Sequence, residues 1–361
     1  MIAHLDMDAF FAAIEERDNP RWHGMPIVVG SDPREGRGRG VVSTANYPAR
    51  KYGIRSALPI RTAWRLAREA AARGEPETLF LPVNGRRYGE ISERIMGIIG
   101  KHAETVEQAS VDESYFDLSH LKSWRSAEAV CRAVKRDILL GEGLTCSIGL
   151  GANKLIAKIA SDFRKPDGFT VVRPRAAMRF LAPLDVRRMP GIGPKAELVL
   201  KQEGLATIGD LQRLTEADLW RMFGEWGLEL YEQVRGRGAE ALSVEWTPRS
   251  VGEQETFDVD TLDSRFVGER LAVMCSSVIA RMRREGFIAY RRVVLTVRFS
   301  DFRTVTRSHM LPTAARAVNT LKTEALRLLL PFFDRRENVR RLPLRLVGIR
   351  VEELREKPQR S

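Results

Sequence analysis

Residues 2–15 read IAHLDMDAFFAAIE, and how this stretch folds decides the rest. Ile2 to Met7 form a short, mostly apolar run suited to a buried strand. From Asp8 onward the pattern turns helical, with Asp8 the candidate N-cap and Pro20 beyond the helix end. On a strand, Asp6 and Asp8 share a face; if Asp8 already belongs to the helix, only Asp6 points out from the strand. An acid at the end of an apolar strand is costly to bury without a partner, and a divalent cation is the usual one.

Working outward, PIVVG (26–30) and GVVSTA (40–45) read as further strands, and 85–102 and 126–140 as helices. VEQASVDESYFDLS (106–119) alternates like a hairpin, and TCSIGLG (145–151) is again a strand. The mixture predicts an α+β domain over roughly 1–170. The hairpin carries Asp112 and Glu113 side by side. Adjacent acids face opposite sides of a regular strand, so both serve one site only near a turn or strand end. If the hairpin neighbours the first strand, Asp6, Asp112 and Glu113 converge into an oxygen-rich pocket suited to Mg²⁺. Three carboxylates with two metals are the equipment for in-line phosphoryl or nucleotidyl transfer. Against this stands the plainer reading, acids near strand ends as caps and surface groups.

Two segments offer groups for a phosphate. STANYPARKYGIRSALP (43–59) presents Thr44, Tyr47, Arg50 and Lys51 within eight residues. GANKLIAKIASDFRKPDG (151–168) presents Lys154 and Lys158 four apart, on one helical face. Taken singly, each reads more readily as a basic surface helix. Neither is a P-loop, since the chain holds no GxxxxGK[ST].

Beyond residue 170 the character changes. Residues 171–235 read as helical and contain PGIGPK (190–195), the hairpin of a helix-hairpin-helix. Gly191 and Gly193 let the backbone approach a phosphate, and Lys195 adds charge. Such contacts position DNA without reading its sequence. Residues 236–250 lack periodicity and read as a linker. From 251 the order is strand, helix, strand, strand, helix, strand, the split β-α-β (ferredoxin-like) arrangement.

The chain carries 59 Lys+Arg against 47 Asp+Glu, a net charge of +12. Residues 281–350 alone hold 17 of the basic and 5 of the acidic residues, so this one segment accounts for the whole excess. Its basic residues are nearly all arginine, which suits bidentate phosphate contacts. No apolar run reaches the roughly 18 residues of a membrane span, and no secretory leader is seen. Cys131, Cys146 and Cys275 are widely spaced and odd in number, so they read as reduced thiols of a cytoplasmic protein.

HLDMDAFFAAIE, STANYPARKYGIRSALP, SVDESYFD, AKIASDFRKPDG, PGIGPK and PRSVGEQETF fall in an order that resembles the Y-family translesion DNA polymerases, and among them the bacterial DNA polymerase IV (DinB) class. The resemblance runs from residue 2 to about 354. It implies a right-hand-like α+β polymerase: palm and fingers in 1–170 (fingers about 20–78), a helix-hairpin-helix thumb in 171–235, the linker 236–250, a little finger in 251–355 and a tail, 356–361. It implies Asp6, Asp112 and Glu113 as catalytic metal ligands with the Met7 carbonyl, two Mg²⁺ per site, and Mn²⁺ as a substitute. Phe11 would be the steric gate against a 2′-OH, with Phe10 the neighbour confusable with it. Tyr47, Arg50 and Lys158 would hold the incoming triphosphate, with Thr44 nearby. Gly191, Gly193 and Lys195 would meet DNA in the thumb, and Arg340, Arg341 and Arg345 would do so in the little finger.

The substrates implied are primer-template DNA and deoxyribonucleoside triphosphates, and the enzyme is expected to be monomeric. Ala9 stands where some relatives carry a larger residue, which implies a roomier pocket floor. The chain ends VEELREKPQRS without the glutamine-led peptide that docks on a sliding clamp, so no strong clamp partner is expected. A metal-dependent nuclease, or a DNA-binding scaffold of the same fold without catalysis, remains as an alternative. A nucleotide cyclase would need neither the helix-hairpin-helix nor the basic C-terminal module.

Overall fold

A computed structural model describes residues 1–244 and 247–356. The expectations for 245–246 of the linker and 357–361 of the tail lie outside the described residues. The chain divides into two compact units, the first holding 1–37 and 41–244 and the second 38–40 and 247–356.

The first unit begins with β1 (Ile2–Met7) and α1 (Phe10–Asp18). There follow β2 (Ile27–Gly30), β3 (Val42–Ala45), α2 (Tyr47–Lys51), α3 (Ile60–Ala72), β4 (Leu79–Leu81), α4 (Gly85–Gly100), β5 (Val106–Gln108) and β6 (Glu113–Asp117). Next come α5 (Trp124–Glu142), β7 (Cys146–Gly151), α6 (Lys154–Phe163) and β8 (Phe169–Val171). A five-stranded sheet runs β5-β6-β1-β7-β8 and a small one β3-β2-β4. β1 is the central strand of the larger sheet and all six of its residues are buried; Ala3, Leu5 and Met7 face one core, and Ile2, His4 and Asp6 lie on the other face. Leu5, Phe116 and Ile148 join Ile91 and Ile95 of α4 and Cys131 and Val134 of α5 in one core.

α6 packs on β7 closely: a Cβ on Gly149 would stand 2.1 Å from the Ala157 carbonyl oxygen. That approach brings Lys154, Lys158 and Ser161 of α6 over β1 and β6. Asp8, expected as the N-cap of α1, is not the cap. The cap position belongs to Ala9, in the left-handed region at φ 49°, and no side chain caps the helix. Asp8 lies in the turn between strand and helix with its carboxylate buried.

The buried Glu142 at the end of α5 ties three elements together. Arg94 of α4 grips it with two bonds of 2.6 and 2.8 Å, and Arg17 of α1 adds a third of 3.2 Å. Hydrogen bonding from Arg94, chiefly, holds its carboxyl below the ordinary value of 4.5. A lowered carboxyl stabilises the fold fully above its unfolded-state value and loses that effect as the pH falls through the folded one. Glu142→Ala is expected to cost about 2 kcal/mol at neutral pH, because it strands two guanidinium groups of which one is half exposed. Urea unfolding at pH 7 and pH 3.5 checks this: the variant's deficit should shrink at the lower pH.

Five helices follow: α7 (Ala177–Leu181), α8 (Pro194–Gln202), α9 (Ile208–Gln212), α10 (Glu216–Phe223) and α11 (Glu225–Val234). They enclose a core of Leu181, Met189, Ile192, Leu200, Leu211 and Leu230. Thr207 and Thr215 start α9 and α10 with capping boxes. Residues 236–243 are irregular in backbone yet tied down. The Gly236 carbonyl accepts from Asn153, the Ala239 carbonyl from the Lys154 amide, and the Ser243 amide donates to Glu107 at 2.8 Å.

The second unit contains β9 (Ser250–Thr261), α12 (Ser264–Arg284), β10 (Phe287–Phe299), β11 (Thr304–Ala315), α13 (Val318–Leu329), β12 (Leu344–Glu352) and the short β13 (Arg355–Glu356). Its main sheet runs β11-β10-β12-β9. β12 lies between β9 and β10, and β10 between β11 and β12, so both β-α-β units are split. α13 begins only at Val318 because β11 continues to Ala315.

Candidate active site

Pairing within the larger sheet gathers the acids. β1 and β6 are antiparallel, and Asp6 lies directly opposite Glu113, the position at which two side chains share a face at closest range. One residue further on, the Met7 amide donates to the Asp112 carbonyl at 3.0 Å. Asp112 precedes β6, in the turn of the β5–β6 hairpin, so the two adjacent acids escape strict strand alternation. Ser110 shapes that turn: its hydroxyl donates to Asp112 Oδ1 at 2.6 Å and accepts from the amides of Asp112 and Glu113.

The surrounding cations divide the carboxylates between them. Lys165 Nζ lies 2.5 Å from Asp6 Oδ2 and 2.7 Å from Asp162. Lys158 Nζ lies 2.7 Å from Glu113 Oε2. Burial pushes the Asp6 carboxyl up to about 7 despite Lys165, and the facing Glu113 adds to the rise. Glu113 moves the other way, held well below the usual carboxylate range by His4 and Lys158. Of those two, Lys158 makes the shorter contact: His4 Nε2 is 3.7 Å away and forms no hydrogen bond. Burial keeps His4 below its ordinary value. It pulls Lys165 down too, but Asp6 and Asp162 outweigh it and raise that lysine.

A cleft of about 140 Å³ opens over this cluster, lined by Asp6, Met7, Ala9, Phe10, Ser43, Thr44, Tyr47, Arg50, Ser56, Asp112 and Lys165. Its groups are held. Asn46, buried, caps α2 through the Ala49 amide and accepts from the Ile27 amide of β2. Arg50 Nε donates to the Ala45 carbonyl at 2.8 Å, and its guanidinium lies 4.6 Å over the Tyr47 ring. Burial keeps the Tyr47 phenol protonated, pushed up to about 12. The uncapped first turn of α1 begins at the same cleft, and free helical N–H groups favour an anion.

Of the residues expected from sequence, this cleft collects Asp6, Met7, Asp112, Phe10, Thr44, Tyr47 and Arg50. Glu113 stands opposite Asp6 but faces Lys158. Lys158, expected at the triphosphate, is not among the lining residues, because its ammonium is turned to Glu113; the lysine in the cleft is Lys165. Phe11 is half-buried and stacks on Tyr88, centroids 4.3 Å apart and planes within 13°, while Tyr88 donates to Glu15. Ser110, Ser43, Ser56 and Lys165 were not singled out by the sequence. Lys165 sits in KPDG just past α6, where helical spacing no longer indicates a direction.

Elsewhere, Gly191 turns the backbone before α8 at φ +93°, and a Cβ there would press on Trp226 at 3.2 Å. Gly193 caps α8, and Lys195 in its first turn is exposed. Arg340 and Arg341 are exposed, whereas Arg345 stacks over Phe302 and faces Asp260 at 3.7 Å.

Comparison with known proteins decides the family. Residues 5–162 match the profile of the impB/mucB/samB family, 248–361 that of its C-terminal domain, and 187–237 the DNA polymerase-iota thumb domain. A DNA polymerase IV from Methanoculleus marisnigri is 39% identical over 98% of this chain and 94% of its own. This chain belongs to the Y-family DNA polymerases. A Listeria monocytogenes DNA polymerase IV is 36% identical over 98% of this chain and 95% of its own. The structure of a Y-family DNA polymerase chimera, Dbh-Dpo4(243-245)-Dbh, matches with a TM-score of 0.85 at 27% identity, covering 99% of each chain.

The Y-family fold accounts for both units, with a helix-hairpin-helix thumb and a C-terminal little-finger domain. The activity is template-directed DNA synthesis of the translesion class, and Y-family polymerases are metal-dependent. Among the described residues no helix is long and apolar enough to cross a membrane. Nor do three His, Cys, Asp or Glu side chains among them close into a metal cage. Ser110, Lys165 and Lys158 each engage one oxygen, of Asp112, Asp6 and Glu113 in turn.

Proposed function

We propose that Asp6, Asp112 and Glu113, with the Met7 carbonyl, are the groups at which this polymerase holds two Mg²⁺, with Mn²⁺ a substitute. The observation that supports this most is Asp6 opposite Glu113 across β1 and β6, with Asp112 one residue away. Burial raises Asp6 to about 7 and the facing Glu113 adds to the rise, a cost that bound cations would relieve. The donor set is all oxygen, as Mg²⁺ prefers. Bound there, the ions supply activation of the primer 3′-OH and neutralisation of the leaving pyrophosphate.

The chain's own groups do the rest. Tyr47, Arg50 and Lys165 grip the triphosphate, with Thr44 beside them, and the first turn of α1 presents its N–H groups. Lys158 keeps Glu113 ionised and oriented. Phe11, braced flat against Tyr88, lies under the sugar as the steric gate; Phe10 is core, 1% exposed. By this reading 1–170 are palm and fingers (fingers about 20–78), 171–235 thumb, 236–250 linker and 251–355 little finger. Gly191, Gly193 and Lys195 hold DNA in the thumb. Arg340 and Arg341 do so in the little finger, where Arg345 braces the surface through Phe302 and Asp260. DNA and deoxyribonucleoside triphosphates are the substrates, and the protein acts as a monomer in the cytoplasm.

A primer-template assay with Mg²⁺ tests this reading. The primer should grow by one residue with the nucleotide complementary to the template and stay intact without nucleotides; shortening without nucleotides would indicate a nuclease. DNA affinity should fall roughly tenfold or more between 50 and 200 mM salt, since several phosphates must be neutralised. A flat salt response would remove the DNA-binding role of the arginine-rich segment.

A further inference from the structure

Asp8 is a buried carboxylate, 4% exposed, that the reading above leaves without a task. It does not line the cleft of Asp6 and Asp112. Both of its oxygens are occupied by donors from other segments. Oδ1 accepts from the Ser147 hydroxyl of β7 at 2.8 Å and, more weakly, from the Tyr47 hydroxyl at 3.4 Å. Oδ2 accepts from the Asp167 amide at 2.8 Å. Ser147 Oγ in turn accepts from the Gly168 amide at 3.1 Å, and Lys135 Nζ fixes the Asp167 side chain at 2.7 Å.

Two of the three bonds to Asp8, from Tyr47 and from the Asp167 amide, end on segments that carry a phosphate-holding group, and the third ends on Ser147, which itself binds the Gly168 amide of the same turn. Asp167 and Gly168 close the turn that presents Lys165. Tyr47 is both a cleft residue and the ring on which the Arg50 guanidinium rests. Asp8 itself is the residue between Met7 and Ala9, both of which line the cleft. We infer that Asp8 is a positioning residue: its carboxylate joins the Lys165 turn to Tyr47 and so sets the spacing of the triphosphate grip without touching metal or substrate.

Two acceptor oxygens let Asp8 hold the Asp167 amide and both hydroxyls with every donor paired. Asparagine keeps the size but offers one oxygen, so either the Asp167 amide or the hydroxyl pair meets an N–H instead. A buried donor left unpaired shifts the turn rather than tolerating the mismatch.

The inference rests on the triphosphate grip proposed above, and the test separates the two. Single-turnover extension is measured against nucleotide concentration for Asp8→Ala, Asp8→Asn, Lys165→Ala, Tyr47→Phe and the Asp8→Ala/Lys165→Ala double variant. Primer-template affinity and the Mg²⁺ concentration for half-maximal rate are measured alongside. Asp8→Ala should raise the nucleotide Kd about tenfold and leave DNA affinity and the Mg²⁺ midpoint within about twofold. Asp8→Asn should give a smaller rise in the same direction, and it carries the test if Asp8→Ala does not fold. The double variant should bind nucleotide within about twofold of Lys165→Ala alone, since groups acting as one unit are not additive.

An unchanged nucleotide Kd in both Asp8 variants, with Lys165→Ala raising it, would overturn the inference alone. So would multiplicative losses in the double variant, or a shifted Mg²⁺ midpoint, which would make Asp8 a metal ligand. An unchanged Kd in Lys165→Ala and Tyr47→Phe would overturn the grip itself, and this inference with it.

Discussion

Asp112→Ala and Glu113→Ala are each expected to lower the rate of primer extension by about a thousandfold or more while leaving primer-template affinity within about twofold. The two acids reach the site differently, so the variants probe separate features. Asp112 comes from the hairpin turn and is aimed by Ser110. Glu113 comes from the first position of β6, opposite Asp6 and held by Lys158. Removing Glu113 also frees Lys158, so loss of charge balance adds to loss of the carboxylate. Rapid-quench extension with anisotropy of labelled DNA measures both quantities. Extension at the parental rate in either variant would refute the assignment.

Phe11→Ala is expected to increase ribonucleotide insertion relative to deoxyribonucleotide insertion by about 10–200-fold, the range of discrimination a single apolar contact supplies. The structure gives a reason for the stiffness such a gate needs. Phe11 lies nearly parallel to Tyr88, whose hydroxyl is fixed to Glu15. A ring so braced does not yield to a 2′-OH by rotating aside. Insertion efficiencies for one nucleotide pair, with and without the 2′-OH, report the ratio. A ratio unchanged from the parent would remove Phe11 from the gate.

Where periodicity and chemistry coincide, the residues alone carried the structure. The apolar run before Asp6 and the alternation around Glu113 pointed to two strands whose pairing brings the acids together, and β1 and β6 do pair there. The β-α-β-β-α-β order of the C-terminal unit was visible for the same reason, since its strands and helices differ in period. What escaped depends on backbone geometry that no pattern encodes. Ala9 takes a left-handed conformation that an alanine seldom adopts, so the helix begins one residue later and Asp8 is left to the interior rather than to a cap.

Lys165 was missed because it lies beyond the last helical turn, where the direction of a side chain is set by the Asp8–Asp167 contact. Lys158 had the right spacing but is turned to Glu113. The segment 236–243 looked like a free linker because it lacks periodicity, yet its bonds run to Asn153, Lys154 and Glu107, far away in sequence.

The most direct measurement is a count of bound Mn²⁺ by electron paramagnetic resonance, with a dideoxy-terminated primer-template and a non-hydrolysable deoxyribonucleoside triphosphate present. Two Mn²⁺ should bind per chain, and Asp6→Ala and Asp112→Ala should each lose at least one. Undiminished stoichiometry and affinity in both variants would place the metals elsewhere and contradict the account.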